Sequence, residues 1–353
     1  MEERYNGDFT LAQVRAGTRI YQYDPTNTAN TGVKVVQEAL HMYGFNLTAD
    51  GKFGSTTKAV VTGFQVENGL TQTGTVNKET LLKLESWCGT LYETQPLHPA
   101  TKQVQYGLAT LHSGDSGDAV ILVRDLLKQH GYTCAAIGSY DSVLETVVKK
   151  FQQDKGITVT GNVNQVTLAV LQDLTADTAW LNGSTVNLTP GKLARAGFFG
   201  ILIKPEIVAD INKGLNKYGI TTGEKVLHFL AQMMAETQES TNIMEDGYRP
   251  GEGYVKGGED YSPYCGAGVL QMTWYYNYRD FSDHVNKSAN GYPKDPYIYP
   301  GQINGNGMYA TQHVALKYPG ISSAWFWDKA KIVNTLDWNQ GAKEISYAVT
   351  KNL

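Results

Sequence analysis

The chain has 353 residues, enough for two or three domains at roughly 100–200 residues each. Hydrophobic residues make up 41% and charged ones 18%, a composition that excludes a long disordered chain. The net charge of −4 gives no bulk basic field for nucleic acid. No run of about 18 apolar residues offers a membrane span. The N-terminus, MEERYNGDFTLAQ, opens with charges and lacks the apolar core of a signal peptide, so synthesis in the cytoplasm without such a signal is expected. Cys88, Cys134 and Cys265 are odd in number and widely spaced, which predicts free thiols rather than a disulfide framework or a metal knuckle. No HExxH, paired Cys/His spacing or Gly-rich phosphate loop occurs, so no metal and no cofactor are expected.

Residues 1–29 read as a polar arm, packed or partly disordered. An internal repeat then sets in at a constant offset of 87 residues. Val33 pairs with Val120, Leu40 with Leu127, Gly44 with Gly131 and Gly51 with Gly138. Phe64-Gln65 pairs with Phe151-Gln152, Thr73-Gly74 with Thr160-Gly161, and Thr80-Leu81 with Thr167-Leu168. In each copy, helical spacing at Val33, Val36 and Leu40 ends at a glycine, a turn follows, and two further short helices are predicted. Three short helices in about 55 residues bury little core, which suits a binding unit better than an enzyme.

The run Asp50-Gly51-Lys52-Phe53-Gly54, with Phe64-Gln65, Gly69-Leu70, Thr73-Gly74 and Thr80, resembles the three-helix peptidoglycan-binding domain. The resemblance covers residues 30–86 and again 116–173. The second copy departs at the first turn, where it reads Ile137-Gly138-Ser139-Tyr140, leaving open whether it holds the wall or acts as a spacer. Residues 87–115 and 174–190 carry Cys88-Gly89, Pro96, Pro99, Ser113-Gly114, Asn182-Gly183 and Pro190-Gly191, so both are predicted to be linkers.

A third unit is expected over 191–353. Val226, Leu227, Leu230, Met233 and Met234 predict a buried helix, with Glu236 and Glu239 at its C-terminal end. Glu245, Asp246, Glu252, Glu259 and Asp260 follow in a Gly/Tyr-rich stretch. A carboxyl at the end of an apolar helix is partly desolvated, which suits a general acid. Glycoside hydrolysis needs such an acid and a second, ionised carboxylate. Spacing alone fits solvated surface charges as well. His228 reads as a core histidine, Trp325 and Trp327 as core aromatics, and Cys265, with no His partner, as no nucleophile.

Phe229-Leu230-Ala231-Gln232 with Glu236-Thr237 resembles the acid-bearing helix of glycoside hydrolase family 19. The stretch from Gly266 to Tyr278 and the block Ser323-Ala324-Trp325-Phe326-Trp327 are similar to two further blocks of that family, in the same order. The resemblance implies a mainly helical, lysozyme-like catalytic domain with an inverting mechanism, so the fold class predicted is mainly α throughout. It places the general acid on Glu236, a water-holding hydroxyl on Thr273, sugar contacts on Gln271 and Asn277, and the cleft floor on Trp274 and Tyr278. The lysin-type arrangement puts the second carboxylate on Glu245; the plant-type one favours Glu252 or Glu259. The chain departs from the family at Ala235, where a His is usual, and at Ala267, where an Arg is usual.

The function expected is an endolysin-like, bacteriolytic hydrolase cleaving β-1,4 bonds of peptidoglycan glycan strands, anchored by its repeats. A wall-binding protein with a decayed glycosidase domain, and a chitinase, are the alternatives. The partner expected is peptidoglycan, with no nucleic acid and no membrane insertion, and the chain is expected to be a monomer reaching the wall by phage-type release or lysis. On this modular reading, residues 187–353 act by themselves.

Overall fold

The computed structural model describes residues 9–93, 99–136, 138–176, 181–182, 184–237, 242–245, 248–249, 253–254, 264–299 and 309–330. Among them the chain is mostly helical, as predicted, with two short β-hairpins as its only sheets.

Each repeat is a three-helix unit whose helices start at matching positions. Helices α2 (Thr31–Tyr43), α3 (Ser55–Glu67) and α4 (Lys78–Cys88) form the first. Helices α6 (Asp118–Gln129), α7 (Ser142–Lys155) and α8 (Gln165–Gln172) form the second. The last helix of each starts on an asparagine, Asn77 or Asn164, whose side chain accepts from the amide of Thr80 or Thr167, both at 2.9 Å. Val33, Val36, Leu40, Val61, Phe64, Leu81 and Leu84 fill one core and their counterparts the other.

The duplication reaches further upstream than the constant offset shows. Helix α1 (Leu11–Ala16) precedes the first repeat and packs on α4; helix α5 (Thr101–Gln105) precedes the second and packs on α8. In both, a glutamine side chain caps the helix start, Gln13 accepting from Thr10 N at 3.0 Å and Gln103 from Ala100 N at 2.9 Å. Both then turn at a glycine with positive φ, Gly17 (82°) and Gly107 (76°). Tyr21 next forms a two-way backbone bridge to Val76, and Leu111 to Val163. Residues 99–115 are therefore not a linker but the second copy of the N-terminal arm. Their offset is 90 residues because the following loop is three residues shorter, and that gap hides the match.

The second predicted linker is also partly ordered into the fold. Strands β1 (Leu181–Asn182) and β2 (Thr185–Val186) pair antiparallel. Two asparagines of α10 (Pro205–Lys217) then grip the backbone with their side-chain amides. Asn216 exchanges both bonds with Val186 at 2.7 Å, and Asn212 binds Leu188 at 2.8 and 2.7 Å.

After α9 (Pro190–Arg195), the C-terminal unit is built around α14 (Pro319–Lys329). It crosses α10 where both helices carry glycine. A Cβ on Gly320 would lie 2.4 Å from Ile211 Cα, and one on Gly214 would lie 2.7 Å from the Gly320 oxygen. The α14 N-terminus is capped from α10 by Asp210, whose carboxylate accepts from the amides of Gly320 and Ile321 at 2.8 and 3.0 Å. Trp325 and Trp327 are buried, as expected.

Helix α11 (Gly223–Glu236) buries a stripe shifted from the predicted one. Val226, Phe229, Leu230 and Met233 face the core, Met234 is half-buried, and Leu227 is 61% exposed. The Phe229 ring meets Trp327 at 5.5 Å, so the larger aromatic sets the helix rotation. His228, expected in the core, is half-buried. The remaining helices are α12 (Tyr275–Asn286) and α13 (Ala310–Lys317), and a hairpin of β3 (Tyr248–Arg249) and β4 (Gly253–Tyr254) follows Glu245.

Candidate functional site

In the repeats, the polar residues of the motif prove to be internal staples. The Gln65 amide donates to Thr73 Oγ1, Thr75 O and Thr80 Oγ1, all at 3.0 Å, while its oxygen accepts from Gly74 N at 2.9 Å. Gln152 repeats the pattern with Thr160, Asn162, Thr167 and Gly161. Gln37 likewise ties the first turn, reaching Asp50 Oδ1, Lys52 O and Thr57 Oγ1 at 3.0 Å and accepting from Gly51 N at 2.7 Å. In the second copy Arg124 stands where Gln37 stands. It donates to Ser139 O at 2.5 Å and pairs with Asp141 at 3.3 Å. That exchange gives the departure at Ile137-Gly138-Ser139-Tyr140 a physical reason, since an arginine cannot accept from the turn amide. Ile137 itself lies outside the described residues.

In the C-terminal unit, Glu236 ends α11 and is half-buried. Burial raises the pKa of its carboxyl, and a hydrogen bond from Gln232 Nε2 to Glu236 Oε1 at 2.6 Å opposes part of the rise. Gln232 is 2% exposed and one helical turn before Glu236, a spacing that signals contact in the sequence itself.

Asn242 N donates to Thr237 O at 3.2 Å, and residues 243–245 run beside Gly266–Gly268. Glu245 N donates to Gly266 O at 2.8 Å, and Gly266 N donates to Glu245 Oε2 at 2.7 Å. The segment holding the Glu245 carboxylate is thus fixed by a reciprocal clasp. Glu239, Glu252 and Glu259 lie outside the described residues.

The Gly266–Tyr278 stretch makes a tight return. Ala267 pairs with both Met244 and Met272, and its side chain is fully buried, so the position usual for an Arg points into the core here. Gln271 and Trp274 adopt positive φ, 52° and 76°. Gln271 donates to Gly268 O at 2.9 Å, and Thr273 Oγ1 donates to Gln271 O at 2.8 Å. Trp274 is half-buried and stacked on Tyr276.

Two predicted sugar contacts are corrected. Tyr278 is fully buried, with its hydroxyl donating to Cys265 O at 2.5 Å, so it is a core strut rather than a cleft floor. Asn277 is 4% exposed and spends its polar atoms on Thr273 O at 2.8 Å and Lys329 Nζ at 3.2 Å. Helical periodicity carries both inward from the start of α12. Cys265 is buried and burial pushes its thiol up to about 12, which leaves no thiolate to attack. Among the described residues no group of three or more His, Cys, Asp and Glu side chains is placed to hold a metal ion.

Residues 29–84 and 116–171 match the family described as "Putative peptidoglycan binding domain". No curated protein matches the chain. Fold and match together define the class: a mostly helical protein with two peptidoglycan-binding domains followed by a helical unit. Among the described residues no helix is long and apolar enough to cross a membrane.

Proposed function

We propose that the C-terminal unit is a glycosidase that cuts the β-1,4 bonds of peptidoglycan glycan strands while the repeats hold it on the wall. In this reading the protein is an endolysin-like hydrolase working by inversion. Glu236 donates the proton to the leaving oxygen, and Glu245, held ready by Gly266, activates water from the other face of the sugar. Thr273, Gln271 and Trp274 flank that water and the sugar. The observation that carries the reading is Glu236: a half-buried carboxyl with a raised pKa at a helix end, in a chain that also carries two wall-binding domains.

Purified walls digested with the full chain should release muropeptides with a new reducing end, read by mass spectrometry. Glu236→Gln keeps the size and the Gln232 contact but cannot donate a proton. It should lower release by about 10²–10⁴-fold with an unchanged Tm. Release within a few-fold of wild type would move the acid elsewhere.

One observation favours a second reading, a glycan-recognising unit that does not cut. The hydroxyl of Thr273 and the amide of Gln271 are both turned onto backbone oxygens. Wall pelleting with no released sugar would decide for it, and release from chitin alone would decide for a chitinase.

A further inference from the structure

Helix α3 of the first repeat ends against α13 of the C-terminal unit, at a largely buried contact. Gln312, fully buried, donates from Nε2 to Gly63 O and to Glu67 Oε1, both at 2.8 Å. Its neighbour His313 reaches Glu67 Oε2 from Nδ1 at 3.3 Å and Asp295 Oδ2 from Nε2 at 3.0 Å. Asp295, 2% exposed, also takes Lys317 at 2.5 Å and the Tyr318 hydroxyl at 2.7 Å, and the Tyr297 ring lies beside the imidazole.

The residue before Gln312 leads straight to the candidate base. Thr311, fully buried, accepts from Cys265 N at 3.0 Å. Cys265 is followed by Gly266, which clasps Glu245. The repeat also touches the Glu245 segment on both sides. A Cβ on Gly44, the cap of α2, would lie 3.4 Å from Ile243 and 2.6 Å from Leu316, and α3 lies against β3.

We infer that the first wall-binding repeat is a built-in brace of the C-terminal unit, with Glu67 acting through Gln312 and His313 as a positioning residue for the Cys265–Gly266 strand that holds Glu245. The inference rests on the proposed role of Glu245 for its consequence in turnover, but not for the brace itself. Glu67 touches no substrate. Its loss leaves the buried amide of Gln312 with Gly63 O alone and the imidazolium of His313 with Asp295 alone. Helix α13 then loses its fixed seat, and the Cys265 and Gly266 amides lose theirs.

The test uses the full chain with Glu67→Ala, Glu67→Gln and, as a control on an exposed carboxylate of α11, Glu224→Ala. Hydrogen exchange at the Cys265 and Gly266 amides should quicken by about tenfold or more in Glu67→Ala and stay unchanged in Glu224→Ala. Glu67→Gln should restore most of the protection, because its oxygen still accepts from Gln312. On walls, Glu67→Ala should lower kcat with the apparent KM unchanged. Exchange at both amides equal to wild type in Glu67→Ala would overturn the brace, whatever the activity. Faster exchange in a protein whose wild type releases no muropeptides would uphold the brace and reject the glycosidase. If Glu67→Ala does not fold, the His313 titration in Glu67→Gln decides. Its pKa, held up at about 9 by Asp295 and Glu67 against burial, should fall by NMR. An unmoved titration overturns the inference.

Discussion

Lys204 shows at the scale of one residue what the junction between the units costs. Its side chain is 1% exposed, with Nζ 4.8 Å from the centre of the Trp87 ring. Burial pushes its pKa down to about 7, with the nearby Glu206 restoring only part. A lysine whose folded pKa lies below its unfolded value of 10.5 is a net cost to folding. That cost is fully present below the folded value, where both states carry the proton and only the folded one buries its charge, and it fades as pH rises from about 7 to 10.5. Lys204→Met, which keeps the length and apolar stem, should therefore raise Tm at pH 6 and raise it much less at pH 10. Calorimetry at the two pH values checks this, and an equal gain at both would mean that the charge is not what burial penalises. Tyr278 and Asn277 carry the opposite lesson. The family resemblance implied sugar contacts for both, and only the rotation of α12 decides that they face inward.

At the scale of elements, the helices of both repeats were legible from glycines, turn signals and apolar spacing, because local rules alone fix them. The α1–α5 correspondence was written in Gln13-Val14 and Gln103-Val104, but a three-residue change in the loop moved it off the register that betrayed the rest. Helix α11 was legible as a helix and misread in its rotation, since Leu227 and Phe229 are both apolar and tertiary contact with Trp327 chooses between them. The Glu236–Gln232 pair lay open at one-turn spacing. The Glu245–Gly266 clasp joins residues 21 apart along the chain, and no periodicity reports such a contact. Helix crossing is likewise invisible until the partners meet. Gly320 sits where α14 touches the α10 backbone, so Gly320→Ala should force the helices apart and cost about 1–3 kcal/mol or more. Gly54→Ala places its Cβ 3.7 Å from Asn27 Oδ1 alone and should change stability by less than about 1 kcal/mol. Urea unfolding of both variants compares them, and equal midpoints would deny the close crossing.

The whole molecule departs from beads on a string. Trp87 and Tyr106, one from each repeat unit, both donate to Glu206 at the start of α10, at 3.4 and 3.3 Å. Gln165 of the second repeat donates to Gly200 O at 3.0 Å, and the Asp173–Lys192 pair at 3.1 Å joins that repeat to α9. With the Glu67 contacts, these place polar partners of the C-terminal unit inside both repeats. A tethered enzyme loses only local concentration when its anchor is removed, so residues 187–353 would then keep their Tm and their activity on soluble glycan. The contacts argue for a different outcome. Cutting at 187 takes Gly63 and Glu67 from Gln312 and Glu67 from His313, and it uncovers Ile201 and Leu316, while a buried polar group left unpaired costs about 1–3 kcal/mol. Residues 187–353 alone should therefore melt well below the full chain, or expose apolar surface that binds dye. On the proposed glycosidase reading, activity on soluble glycan fragments, where anchoring is irrelevant, should fall in parallel. A truncated protein that melts cooperatively at the full-chain temperature and turns over soluble glycan at the full-chain rate would show that the docking, though present, contributes no stability.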